Sequence, residues 1–214
     1  MKSSGISQRR QTQRAAASPD YVARRQEILR AAADIFKEKG YQATNVNDIA
    51  RATKLDRATL YYYAGGKVEL FQEIVQKAVN HNVEIAERLA DSDLPAIVKL
   101  QHFIDEIAMS FSEHYPYMQT YWQEDMARVK ASNSEWRREM AALAHRFDQA
   151  LIGMISAGQS DGSIRKCGEP RLLAYGIIGL LNSTHRWFQP KSGYTAKHIG
   201  KVFADVLISG LIAR

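Results

Sequence analysis

Cysteine is nearly missing from this chain: Cys167 is the one thiol among 214 residues. No intrachain disulfide can form, and no zinc site built from cysteines is possible. A reducing, cytoplasmic setting suits such a chain. Long apolar runs are missing too. The longest, Leu172 to Leu181, falls well short of the roughly 20 residues that cross a bilayer. The N-terminus is polar and basic without an apolar centre, so neither a secretory signal nor a membrane partner is expected. No segment alternates apolar and polar residues long enough to propose a strand, and there is no internal repeat or low-complexity tract. Catalytic signatures are also lacking. The six histidines (His81, His102, His114, His145, His185 and His198) are scattered along the chain and form no metal spacing. His81 with Glu84 and His102 with Asp105 are single pairs of a kind common by chance. With no glycine-rich phosphate loop, nucleophile elbow or carboxylate pair, no catalytic residue, metal or cofactor is expected.

What the chain does have is an uneven charge. Residues 1–70 hold 13 Lys and Arg against 7 Asp and Glu, while the remaining 144 hold 16 of each. The whole net charge of +6 therefore sits on the first third, as expected of a segment that meets a polyanion.

Within that third, Thr44 to Lys67 reads as two short helices joined by a tight turn. Val46, Ile49 and Ala50 place apolar side chains on one face, with Thr44 expected as the N-cap. The second helix starts after Asp56, a good cap, runs Arg57-Ala58-Thr59-Leu60-Tyr61-Tyr62-Tyr63, and stops at Ala64-Gly65-Gly66. Only Leu60 and Ala64 offer it an inward face. Arg57 can hold guanine O6 and N7 with two hydrogen bonds, and the methyls of Ala58 and Thr59 can touch thymine. The hydroxyls of Tyr61, Tyr62 and Tyr63 can reach phosphate oxygens. Two helices of this kind match a helix-turn-helix whose second helix enters the major groove. Lys67 opens the following helix, where free N–H groups and a cation together favour a phosphate.

The stretch from Thr44 to Phe71 resembles the DNA-binding signature of the TetR (tetracycline-repressor) family of bacterial regulators. Thr44, Ile49, Ala50, Thr59, Leu60, Tyr61, Lys67, Glu69 and Leu70 fall on the family pattern, which covers roughly residues 21–75. Lys54 stands at the usual turn glycine, so a lysine is expected at positive φ. Asp56 replaces a serine, Tyr63 a histidine and Ala64 a phenylalanine. The resemblance implies an all-α fold, double-stranded DNA with a palindromic operator as partner, a homodimer, and a small-molecule effector bound in the C-terminal part.

The rest of the chain agrees in layout. Residues 1–17, with Arg9, Arg10 and Arg14 among small polar residues, read as a disordered basic arm that either touches DNA or serves as a solubilising tail. Ser18-Pro19 opens a helix with Ile28, Leu29, Ala32, Ile35 and Phe36 inward and Gly40 as its stop; Arg24 and Arg25 are expected to graze the DNA backbone. The domain organisation is then the arm, a DNA-binding domain over 18–66 and an effector-binding and dimerisation domain over 67–214, with about nine helices in all. A helix from Lys67 to Leu89 is followed by one starting at Pro95 and ending near His114, because Pro116 disfavours helix in Tyr115. A short segment follows from Tyr117 to about Arg128, then a helix from Ser134 to Ala157 and a loop from Gly158 to Gly168. Pro170 opens the penultimate helix, which runs to about Phe188; Gln189 to Gly193 form a loop before the last helix.

Two further sites are expected. Phe103, Ile107, Met118, Tyr121, Trp122 and Phe147 are candidates to wall an apolar pocket between bundle helices. Asn182 and Arg186, four residues apart on one helix face, could supply an amide and a cation to a carboxylate or a coenzyme A phosphate. The segment LLNSTHRWFQP resembles that of acyl-CoA-responsive members of the family, so the effector class spans small apolar molecules, aromatic acids and acyl-CoA thioesters. Ile177, Leu181, Val202 and Val206 on the last two helices are expected to pack across a dimer. The resulting reading is a ligand-responsive repressor. An activator, or a DNA binder without an effector, is the alternative, and a helical enzyme is the alternative from another class.

Overall fold

The structure, a computed structural model, describes residues 18–115, 117–122, 134–189 and 193–212. The basic arm and the chain between Trp122 and Ser134 lie outside the described residues. Among the described residues, nine helices run in order: α1 (Pro19–Lys39), α2 (Val46–Ala52), α3 (Arg57–Ala64), α4 (Lys67–Ala90), α5 (Ala96–Glu113), α6 (Tyr117–Trp122), α7 (Ser134–Asp161), α8 (Pro170–Trp187) and α9 (Ala196–Leu211). The same residues contain no strand; Ile164 and Ile212 form an isolated antiparallel bridge. The chain divides into two compact units, Met1–Ile74 and Val75–Arg214, so α4 passes from one into the other.

The first unit is a small helical head. Ser18 caps α1 by accepting from the Tyr21 N–H, and Pro19 occupies a first-turn position whose missing N–H costs nothing. Ile28, Leu29, Ala32 and Phe36 of α1 are buried, together with Ile49 and Ala50 of α2, Leu60 and Ala64 of α3, and Leu70 and Phe71 of α4. Tyr41 closes this core beside Phe71, ring centroids 4.3 Å apart.

The second unit is built around α5. Leu100, Phe103, Ile104 and Ile107 line its inner face and pack with Leu151, Met154 and Ile155 of α7, Ala174, Ile177 and Leu181 of α8, and Ala204 and Leu211 of α9. Each such Leu, Ile, Phe or Met side chain contributes roughly 1.5–3 kcal/mol by leaving water. The most extensive helix pairing is α9 with α5. It is possible because Gly200 leaves room: a Cβ there would lie 3.1 Å from the Cβ of Ala108 and from an Asp105 carboxylate oxygen.

Helix α7 continues to Asp161, so the loop expected from Gly158 begins later. Gly158 is a packing glycine inside the helix, where a Cβ would fall 2.5 Å from Ile164 Cδ1. Asp161-Gly162, the expected marker of this loop, does carry the turn: the Asp161 carboxylate accepts from the Ser163 N–H at 2.8 Å and Gly162 takes φ 83°.

Candidate nucleic-acid interface

Two short helices carry the interface, and neither is long enough to be stable alone. Their ends are therefore satisfied side chain by side chain. The N-cap of α2 is Asn45, which corrects the expectation for Thr44. Asn45 Oδ1 accepts from the Asp48 N–H at 3.0 Å and Asp48 Oδ2 accepts from the Asn45 N–H at 3.0 Å, a reciprocal capping box. The hydrogen bond from the Asn45 backbone, then Lys39, holds the Asp48 carboxyl below its ordinary range. Thr44 points inward, buried, and donates its hydroxyl to the Gly40 carbonyl at 2.8 Å. Its side chain braces the loop, and its hydroxyl is spent on that carbonyl.

At the turn, Lys54 stands at φ 55°, the one non-glycine residue with positive φ among those described. Thr53 secures the preceding turn by donating its hydroxyl to the Ile49 carbonyl at 2.9 Å. Asp56 then caps α3 twice, accepting from the Thr59 N–H at 2.8 Å and the Thr59 hydroxyl at 2.6 Å. These bonds hold its carboxyl below the usual range. The Thr59 hydroxyl is thus engaged within the head, leaving its methyl as the group available to a base. Gly65 ends α3 in the left-handed region, φ 74°, as a residue without Cβ can.

With Leu60 and Ala64 buried beneath it, α3 turns Arg57, Ala58 and Tyr62 to solvent. Arg57 lies along the helix: Nη2 donates to the Tyr61 hydroxyl at 3.4 Å, and the guanidinium carbon sits 5.5 Å from the Tyr61 ring centroid. Tyr62 and Tyr63 form an aromatic group with Tyr21 of α1, at 5.9 and 4.9 Å between centroids. Tyr63 is half-buried there, so its ring serves packing first. Lys67 donates to the Gln42 carbonyl at 3.3 Å and lies 4.3 Å from the Tyr41 ring centroid. Burial pushes its ammonium below the ordinary lysine range. Arg57 and Lys67 face a shared open cleft of about 400 Å³, lined also by Thr44, Asn45, Val46 and Asn47. Two cations and two amides around one opening suit a phosphodiester.

Arg24 and Arg25, expected at the DNA backbone, turn inward instead. Arg24 donates to the Thr53 carbonyl at 2.8 Å and pairs with Glu27. Arg25 forms a two-pronged ion pair with Glu73 of α4. Both are among the residues that sequence reasoning missed as internal ties. No local signal marks either one, because their partners Thr53 and Glu73 lie 29 and 48 residues away in sequence.

In the second unit, Phe103 and Ile107 are buried on α5, and Phe147 of α7 lies over Phe103 at 5.3 Å between centroids. Met118 is buried on α6, which packs against α8. The Tyr121 ring stands edge-on to Trp136 at 6.1 Å, and burial raises its phenol. The Trp122 side chain lies outside the described residues. Asn182 is half-buried and Arg186 exposed, so the polar pair sits at the margin of the bundle. His185, which sequence reasoning passed over, is buried 4.4 Å from the Phe111 ring, and burial pushes its imidazole down to about 4.

The dimer expectation needs a correction of face. Ile177 and Leu181 are buried at 2 % and 1 % exposure in their own subunit's core, because they continue the Ala174 stripe onto α5 and α7. The outward face of α8 is Leu172, Tyr175, Gly176 and Gly179, and that of α9 includes Val202 and Val206. Leu172 and Val206 are exposed at 67 % and 63 %, an apolar surface of the kind that marks an association face.

Comparison with known proteins converges on one family. The family model for bacterial regulatory proteins of the tetR family matches residues 28–74, and that for the tetracyclin repressor-like C-terminal domain matches residues 93–211. Among curated proteins, the chain is 24 % identical over 188 residues to the HTH-type transcriptional repressor KstR2 of Rhodococcus jostii (strain RHA1), covering 88 % of this chain and 91 % of that one. Among solved structures, the TetR family transcriptional regulator PfmR of Thermus thermophilus superposes with a TM-score of 0.74 and 31 % identity, over 85 % of this chain and 97 % of its own. AibR, solved in complex with isovaleryl coenzyme A and operator DNA, shares the fold with a TM-score of 0.68 and 21 % identity, over 86 % and 98 % of the two chains. With both parts of the chain matched and the recognition helix turned to solvent, this protein belongs to the TetR family of bacterial transcriptional regulators and binds DNA through its helix-turn-helix.

Proposed function

We propose that the protein is a cytoplasmic repressor that binds a palindromic operator as a homodimer and is released from it by an acyl-coenzyme A thioester. The observation that carries the DNA half is the outer face of α3. Arg57, Ala58 and Tyr62 are held to solvent by a helix whose two ends are both capped and whose inner side chains are buried. In this reading Arg57 and Ala58 meet base edges, while Tyr61, Tyr62 and Lys67 reach phosphates; Thr59 adds a methyl contact, and Tyr63 orients the group. The head, with the start of α4, is the DNA-binding part, and the remainder binds effector and partner subunit. Leu172, Tyr175, Val202 and Val206 pack across the two-fold axis, because an exposed apolar face on two adjacent helices is costly in water. No helix among the described residues is long and apolar enough to cross a membrane.

The effector half takes its support from AibR, whose structure holds isovaleryl coenzyme A with operator DNA, and from the apolar and aromatic side chains Phe103, Ile107, Met118 and Phe147, between which an acyl chain would have to open room. Asn182 and Arg186, at the bundle margin, suit the polar end of such a molecule, and Tyr121 the acyl end. An effector that favours one spacing of the two heads lowers operator affinity by the ratio of its affinities for the two states. A gel shift of the DNA upstream of the protein's own gene, titrated with acyl-CoA thioesters of two to eighteen carbons, tests both halves. Retardation relieved by one chain-length class and not by free coenzyme A is the expected result. Failure to retard removes the operator reading; retardation indifferent to every thioester removes the effector reading alone.

A further inference from the structure

The adjacent arginines of α1 tie two other elements of the head together. Arg24 reaches the Thr53 carbonyl at 2.8 Å, the last carbonyl before Lys54, whose positive φ is unfavourable for a residue with a Cβ. Arg25 makes two parallel hydrogen bonds to the Glu73 carboxylate of α4, across 48 residues of sequence. Those two side chains are 12 % and 23 % exposed, so the pair is largely shielded from solvent and salt. A fork-on-fork pair fixes orientation as well as distance. One residue of α1 therefore holds the helix-turn-helix turn and the next holds the second turn of α4.

We propose that Arg24, Arg25 and Glu73 are positioning residues for DNA binding: a clamp through α1 that sets the angle at which α3 is presented. None of the three touches DNA in this proposal. The clamp makes a prediction opposite in sign to simple electrostatics. Glu73 is an anionic group in a basic head, so removing its charge should strengthen attraction to phosphates. If the clamp operates, removing it weakens recognition of the correct sequence.

The test rests on the family's DNA binding and uses the full chain. Wild type is first used to enrich a duplex from a random-sequence pool. Affinities of wild type, Glu73→Gln, Arg25→Gln and the exchanged Arg25→Glu/Glu73→Arg chain are then measured on that duplex and on a scrambled one of equal length, below each melting transition. Glu73→Gln and Arg25→Gln are expected to lose roughly five- to tenfold on the enriched duplex and under about twofold on the scrambled one, and the exchange to recover part of the loss. A merely structural weakening would act on both duplexes alike, and that outcome overturns the clamp. So does a Glu73→Gln chain that binds the enriched duplex as tightly as wild type or more tightly. Should Glu73→Gln fail to fold, Arg24→Gln, which removes a 31 % exposed guanidinium, carries the same comparison. A fallen ratio then supports the clamp and an unchanged ratio overturns it. A wild type that enriches no duplex would overturn the DNA reading and the clamp together, a result distinct from equal ratios.

Discussion

The head and the C-terminal unit are both helical, yet they are held by different means. In the head, α2 and α3 have seven and eight residues, and their stability comes from their ends. Asn45 with Asp48 and Asp56 with Thr59 each satisfy a backbone N–H that a short helix leaves open, while the hydroxyls of Thr44 and Thr53 tie the Gly40 and Ile49 carbonyls beside them. In the C-terminal unit, α5 and α8 start at Pro95 and Glu169 without any side-chain cap hydrogen bond. Their 18 residues each are held by an apolar stripe instead. Short helices are specified by what terminates them, long ones by what they bury. Damage to the head should accordingly be modest and local, and damage to the bundle large and cooperative.

The sharpest break of that contrast lies within the bundle. Leu181→Asp places a charge in a 1 % exposed site and should cost about 4 kcal/mol or more, lowering the melting transition of the whole chain. Val206→Asp changes a 63 % exposed side chain and should leave the monomer's fold intact while yielding monomers by sedimentation. If Val206→Asp unfolds the chain as Leu181→Asp does, the outward face of α9 has been misassigned.

His185 makes a pH test of the bundle. Its folded-state imidazole titrates near 4 against an ordinary value of 6.5, because burial disfavours the cation. Above pH 6.5 both folded and unfolded forms are neutral there and stability is flat. As pH falls from 6.5 to 4 the unfolded form gains the proton first, so about 3 kcal/mol is lost through this residue. Denaturant unfolding from pH 7 to 4 should show that slope, and His185→Gln should flatten it; an unchanged slope in the variant would exclude His185 as its source.

Changes in the head should be smaller and confined to DNA. Arg57→Ala is expected to cost about 1–3 kcal/mol on an operator and to relax preference at one base position, with thermal stability unaltered. Equal losses on specific and random DNA would instead mark Arg57 as a phosphate contact. The smallest effect concerns Lys54, where glycine adopts the observed φ of 55° without a Cβ penalty. Lys54→Gly should raise stability by roughly 0.5–1 kcal/mol, and a loss would mean that the lysine side chain supports the turn.

Legibility in the sequence follows the same division. Asp56 as the cap of α3, Gly65 as its stop and Ser18-Pro19 at the start of α1 are readable because each depends on contacts within four residues, and Lys54 at positive φ because it stands at the turn glycine of the pattern the stretch resembles. Thr44 went wrong within the same local range, since Thr44 and Asn45 are both good caps and only the fold turns Thr44 toward Gly40. In the bundle the stripe Leu100, Ile104, Ile107 was readable from its 3.6-residue period. Which apolar side of α8 faces inward was not. Leu172, Tyr175, Ile177 and Leu181 surround that helix with apolar groups, and periodicity cannot choose between two apolar faces. Gly158 misled for a related reason, as a glycine can mark a turn or a close approach and the sequence does not distinguish them.

By itself, then, the amino-acid sequence determined the all-α class and the helix-turn-helix with its basic excess, because helix periods, caps and turn residues act at short range along the chain, and the resemblance of that one stretch pointed to the family. Tertiary structure alone decided which arginines of α1 are spent inside the head, that Ile177 and Leu181 belong to the subunit's own core, and that Leu172 and Tyr175 face outward. Those outcomes depend on which surfaces meet, and packing between residues distant in sequence leaves no local pattern to read.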